Sequence, residues 1–118
     1  GYLTIGYGHL ILSNEKILLK KKLHKKEFEK IFEKDFKKAL SNFNNKLKSI
    51  TSNKKDAELL IEMVFQLGIK GCLKFKNLLK NIRKGNKYLV CFEMMDSLWY
   101  KQTPYRVKAL IKIFLNNE

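Results

Sequence analysis

At 118 residues and 14.0 kDa the chain suggests one domain with a modest core, divisible into a small and a larger lobe. Its formal net charge of +14, from 25 Lys and Arg against 11 Asp and Glu, implies attraction to a polyanion: nucleic acid, an acidic membrane surface or an anionic cell-wall polymer. Only Arg83 and Arg106 offer the planar fork that reads bases or phosphates in bidentate fashion; the remaining cations are lysines, strongly hydrated point charges.

No apolar run approaches bilayer length, and the start carries no basic segment followed by an apolar one, so neither a transmembrane helix nor a signal peptide is expected. Any export would then have to be arranged by something outside these residues. Glycine rather than methionine at position 1 reads as a fragment or a processed product. Cys72 and Cys91 fall in apolar surroundings on predicted helices and are expected to be buried, reduced thiols. His9 and His24 are the only histidines, with no acidic cluster beside either, so no metal and no cofactor is expected.

In chain order, Gly1 to His9 (GYLTIGYGH) is a short β-capable run punctuated by three glycines, and Leu10 to Leu12 continue it to a turn at Ser13-Asn14. From Lys25 the period changes. Phe28, Ile31, Phe32, Asp35, Phe36, Ala39 and Leu40 return every three or four residues and predict one long helix over about 25–42, with lysines on its outer face. Asp35 lies on the apolar stripe and calls for a charged or hydrogen-bonding partner. Residues 41–55 read as a weakly helical connector anchored by Phe43, Leu47 and Ile50.

Asn53 with Asp56 three residues on marks a helix start. Ala57, Leu60, Ile61, Val64 and Phe65 form its stripe, and Gly68 is a natural C-cap, with a short helical turn following to Lys74. This should be the most buried helix. Phe75, Leu78, Leu79 and Ile82 predict another, stopped by Gly85. Asn86 caps the next, whose inward set is read as Leu89, Cys91, Phe92 and Met95. Ser97 to Tyr100 reads as an aromatic turn. Thr103-Pro104 starts the last helix, threonine as N-cap and proline at the first helical position, with Val107, Leu110, Ile111 and Phe114 inward.

The candidate polar set is Thr4, His9, Asp35, Glu62, Gln66, Glu93, Asp96 and Arg106. Hydrolysis of a glycosidic bond needs two carboxylates, or one carboxylate and a residue placing water, on opposite sides of the sugar ring. No convincing pair is visible. Glu62, Glu93 and Asp96 read as solvated acids, and no nucleophilic triad fits, because neither cysteine has a histidine near it. Trp99, beside a helix start, reads as core. A recognised nucleic-acid motif is missing, and the aromatics follow helical stripes rather than the basic residues, which argues against nucleic acid as partner.

Three blocks carry a resemblance: Gly1 to His9, Met63-Val-Phe-Gln-Leu-Gly68, and Trp99-Tyr-Lys-Gln-Thr-Pro-Tyr-Arg106. In this order and with nearly this spacing they resemble the phage-type lysozymes, the endolysins and related muramidases of tailed phages. The resemblance covers nearly the whole chain. It implies a mostly helical α+β fold, a single domain over 1–118, with a partial small β-containing lobe at 1–22, a linking helix at 23–42 and a helical lobe at 43–118. It further implies inverting hydrolysis of the β-1,4 bond between N-acetylmuramic acid and N-acetylglucosamine, by a monomer without cofactor, with peptidoglycan as partner. The protein would be made in the cytoplasm of a host bacterium and act on the wall after release.

By motif position Thr4 matches the family's catalytic threonine, and His9 matches the histidine that pairs with an acid on the linking helix, here Asp35. Gln66 is expected to face the cleft as a substrate-binding residue, while Trp99 and Arg106 are expected to be structural. The family's catalytic glutamate and its preceding aspartate have no match, because the sequence starts after both positions. Glu15 comes after the histidine and cannot take their role. The N-terminal helix is therefore expected to be absent from 1–118, and these residues alone are expected to be inactive. The alternative is an inactive cationic wall- or membrane-binding protein on the same scaffold.

Overall fold

The computed structural model describes residues 4–5, 9–10 and 25–116, with side chains from Lys25 onward. Strands β1 (Thr4–Ile5) and β2 (His9–Leu10) pair antiparallel, Thr4 opposite Leu10 and Ile5 opposite His9. Helix α1 (Lys25–Lys46) follows, then a 3-10 turn (Lys48–Ile50), α2 (Lys54–Leu73), α3 (Lys76–Lys84), α4 (Lys87–Met95), α5 (Leu98–Gln102) and α6 (Pro104–Leu115).

The expected α+β class with a β-containing lobe is corrected by this architecture. From Lys25 onward the described residues are helices and short connections, and two bridged residue pairs bury too little to form a sheet core of their own. Among the described residues the fold is essentially all-helical. The rest of the proposed small lobe, Glu15 included, lies outside the described residues.

Helix α1 runs a full turn beyond the predicted end because Phe43 continues the inward stripe and is 3% exposed. Its solvent face carries Lys26, Lys30, Lys34, Lys37 and Lys38. The core lies between α1, α2 and the later helices. Leu60, Met63, Leu78 and Met94 are completely buried, each contributing about 1.5–3 kcal/mol of transfer free energy.

Local signals fix most boundaries. The Asn53 side chain accepts from the Asp56 amide at 2.9 Å, and the buried Asp56 carboxylate accepts from the amide and hydroxyl of Ser52 at 3.3 and 3.2 Å. Gly85 closes α3 in the left-handed region, φ 72° and ψ 22°. Its amide reaches the Ile82 carbonyl and the Asn86 amide the Asn81 carbonyl, the paired bonds of a Schellman motif.

Three readings of the later chain are corrected. The aromatic turn is the helix α5, its first turn capped by Ser97 Oγ accepting from the Tyr100 amide at 3.1 Å. The Thr103 hydroxyl does not cap α6; it donates to the Trp99 carbonyl at 3.1 Å, closing α5. On α4 the buried set is Val90, Cys91 and Met94, whereas Leu89, Phe92 and Met95 face out. Apolar residues surround this helix on the wheel, so periodicity alone does not select a face. Packing against α3, α5 and α6 does.

Candidate functional site

A groove of about 550 Å³ runs between α1 and α2. Its α1 wall is Asp35, Lys38, Ala39 and Asn42, at the i, i+3, i+4, i+7 spacing that stacks side chains on one helical face. The α2 wall is different in kind: seven consecutive residues, Val64 to Lys70, contribute to it. A regular helix would present only every third or fourth. The reason is Gly68, at φ 77° and ψ 162°, a conformation essentially reserved for glycine. The helix breaks there and resumes, so the stretch turns successive residues toward the groove.

The crossing of the two helices is held by rings. Phe65 of α2 meets Phe32 and Phe36 of α1 edge-on, with centroids 5.6 and 6.3 Å apart, while Phe32 and Phe36 stack at 5.8 Å.

Gln66, only 7% exposed, is fixed from both ends of its amide. Its Oε1 accepts from the Trp99 indole N–H at 3.1 Å, and its Nε2 donates to Glu62 Oε2 at a long 3.5 Å. Trp99 is itself held by Phe75, edge-to-face at 6.1 Å. A chain of donors thus runs from the indole through the amide to a carboxylate, locking the groove wall to α5. Glu62, read from sequence as a solvated acid, is half-buried and serves as the end of that chain. The signal that could have found it is the Glu62–Gln66 spacing of i,i+4.

The groove brings Asp35 and Gln66 together. Asp35 is half-buried with its Oδ2 shielded from solvent. Lys38 and Lys70, which sequence reasoning did not single out, add positive charge to the walls, and Asn42 adds a neutral donor and acceptor. Trp99 lies behind Gln66, not in the groove lining, and half-buried Arg106 sits on α6. Glu93 and Asp96, on and after α4, are also away from the lining. Thr4 and His9 occupy β1 and β2, and β2 lies beside α2; their side chains lie outside the described residues.

Cys72 and Cys91 are free and buried. Burial pushes the Cys72 thiol up to about 12 and raises that of Cys91 as well, which keeps both protonated and poorly nucleophilic at neutral pH. Among the described residues no three His, Cys, Asp or Glu side chains cluster in a way that could hold a metal ion. No described helix is long and apolar enough to cross a membrane.

The phage lysozyme family matches residues 1–112. Probable T4-type lysozyme 1 of Dictyostelium discoideum is 35% identical over 136 residues, an alignment covering 96% of this chain and 80% of the relative. Probable T4-type lysozyme 2 of the same organism is 32% identical over 139 residues, covering 97% and 81%.

Proposed function

The chain belongs to the phage lysozyme family, whose members are lysozyme-like hydrolases, and from that premise we propose a specific reaction for it. The protein hydrolyses the β-1,4 bond between N-acetylmuramic acid and N-acetylglucosamine of bacterial peptidoglycan, with inversion, and so lyses cells. The observation that carries this reading is the match over residues 1–112. It is supported by the groove in which Asp35 and Gln66 meet.

In this mechanism a carboxylic acid protonates the leaving oxygen, while a second carboxylate and Thr4 position the water that attacks from the opposite face. A threonine hydroxyl is too weak an acid or base at neutral pH to replace either carboxylate. No acid of residues 1–118 matches the family's motif positions for the two, so the reaction is proposed for a chain that carries both carboxylates, and 1–118 alone is proposed to be inactive. His9 pairs with Asp35 and ties the strand pair to α1. Gln66 meets the glycan with the face of its amide that Trp99 and Glu62 leave open, and Trp99 and Arg106 keep the wall in place.

The wall is also a charge partner. Lysines along α1 attract anionic wall polymers and raise local concentration at low salt. Synthesis in the cytoplasm of a host bacterium and action after release complete the proposal.

The test is digestion of purified sacculi by a chain that carries both carboxylates and by 1–118, with product analysis. New reducing ends on N-acetylmuramic acid, appearing first as the α-anomer, are expected from the former. Peptide cleavage or anhydro-sugar products would sink the proposed reaction, and turnover by 1–118 would sink its inactivity.

A further inference from the structure

Where α1, the 3-10 turn and α2 end, they enclose with α3 a second groove, of about 290 Å³. Lys46 of α1 and Lys76, Lys80 and Arg83 of α3 line it over an aliphatic floor that includes Leu47 and Leu79, and no acid and no aromatic ring lines it. All four cations are exposed, and none forms an ion pair with a described carboxylate. The acids that follow in the chain lie elsewhere: Asp56 lines a cleft with Asn81 and Asn86, and Glu58 and Glu62 line a recess with Leu110 of α6.

Helix electrostatics account for only part of this charge. Lys46 and Arg83 stand in the last turns of α1 and α3, where a cation complements the C-terminal carbonyls. Lys76 instead opens α3, where the dipole favours an acid, and it repels Lys80 at i, i+4. The local structure disfavours this concentration of charge, and an anionic ligand would offset it. Lys76, Lys80 and Arg83 form a row with steps of about 6 and about 4.5 Å along the α3 axis, so a linear polyanion laid along α3 meets them in succession. Nucleic acid is a poor occupant, because the groove offers no ring for base stacking and a single arginine to read a base edge. A bilayer fits no better, since the floor is recessed, Leu47 being 2% exposed, and cannot enter the acyl boundary. A chain of phosphodiesters joined by short polyols matches both the cations and the aliphatic floor.

We propose that this groove binds the phosphodiester backbone of a polyol-phosphate polymer of the bacterial wall. Lys46, Lys76, Lys80 and Arg83 meet successive phosphates, and the polyol carbons pass over Leu47 and Leu79. The groove shares no lining residue with that of Asp35 and Gln66, which is left open to the glycan. The choice of a wall polymer as ligand rests on the muramidase reading, whereas the anion site rests on the groove alone.

Titration of the chain with soluble poly(glycerol phosphate), which contains no peptidoglycan bond and so reads binding apart from turnover, tests it. Binding that weakens with added salt is expected. Lys76→Gln with Lys80→Gln and Arg83→Gln should lower the affinity by roughly tenfold or more and flatten the salt dependence, with the far-ultraviolet circular dichroism unchanged. Lys101→Gln with Lys108→Gln and Lys112→Gln, which removes equal charge from α5 and α6, should lower it by less than about threefold. Lys46→Gln with Lys80→Gln should reproduce the loss if the first set disturbs α3. Three results would each overturn the proposal: no binding by the parent chain; equal losses in the groove and control variants, which would reduce the effect to net charge; or a larger loss toward duplex DNA or phosphatidylglycerol vesicles than toward the polymer, which would give the groove to another polyanion. If sacculus digestion fails while polymer binding responds as expected, the muramidase reading falls and the groove stands.

Discussion

Helices α2 and α4 begin alike and end up in opposite situations. Each starts on an asparagine whose side chain accepts from a first-turn amide, Asn53 from Asp56 and Asn86 from Leu89, and each carries one of the two cysteines. Both are rich in apolar residues. Yet α2 gives Leu59, Leu60, Met63, Val64 and Cys72 to the core, while α4 leaves Tyr88, Leu89, Phe92 and Met95 in solvent. The difference lies in the neighbours: α1 and α6 both pack on α2, whereas α4 is covered on one side by α3, α5 and α6. Apolar composition makes burial possible, and the surrounding helices decide which residues receive it.

The largest expected effect measures that contrast directly. Leu60 is 0% exposed, so Leu60→Ala should destabilise by about 3–5 kcal/mol, the loss measured for buried leucines in phage-type lysozyme cores themselves. Phe92→Ala on α4 should fall within about 0.5 kcal/mol of the parent, although it removes a larger side chain. Urea unfolding of both variants checks this, and equal losses would break the comparison.

Trp99→Phe comes next. It keeps the ring against Phe75 but withdraws the donor from Gln66 Oε1, leaving a buried acceptor unsatisfied at about 1–3 kcal/mol. Gln66→Leu should remove most of that penalty when combined with it, since neither polar group then remains. A double-mutant cycle showing strict additivity would mean the two side chains are not coupled.

Gly68→Ala isolates backbone conformation from space. An added Cβ would meet no atom within 4 Å, so its whole effect, about 1–3 kcal/mol, comes from forcing an L side chain to φ 77°. Because this break presents Val64 to Lys70 to the groove, sacculus digestion by a chain that carries both proposed carboxylates should fall as well. A variant of parent stability would show that the helix can run through.

These expectations also locate what the sequence could reveal. Periodicity exposed α1 because lysines and apolar residues alternate cleanly on it, and α2 because Glu58, Glu62 and Gln66 interrupt its apolar run at four-residue spacing; Asn53, Gly85 and Pro104 marked ends through local backbone chemistry. The side of α4 was not legible, since Leu89, Val90, Cys91, Phe92, Met94 and Met95 leave no polar stripe to orient it. Glu62 looks solvated in the sequence because nothing local shows that its i+4 partner Gln66 is held by Trp99, thirty-three residues away. The glycine-rich opening suggested a β lobe, but two bridged pairs do not make one. At the site, Asp35 and Gln66 were legible through their blocks, whereas Lys38, Asn42 and Lys70 depend on how α1 crosses the break in α2.

The smallest effect again sets α2 against α4, now through their thiols. Burial pushes Cys72 on α2 up to about 12 from the ordinary value of 9.0, and Cys91 on α4 is raised from the same value. A raised folded value means that the folded chain holds its proton longer than the unfolded one. The resulting stability is fully present below about pH 9 and is lost as pH rises from there toward about 12, where the folded thiol also ionises. Unfolding free energies measured on either side of pH 9 should fall less steeply with pH in Cys72→Ala than in the parent. Alkylation of the folded chain at mildly alkaline pH should reach Cys91, 7% exposed, before Cys72, at 0%. Faster modification of Cys72 would mean that α2 opens more readily than α4, reversing the comparison.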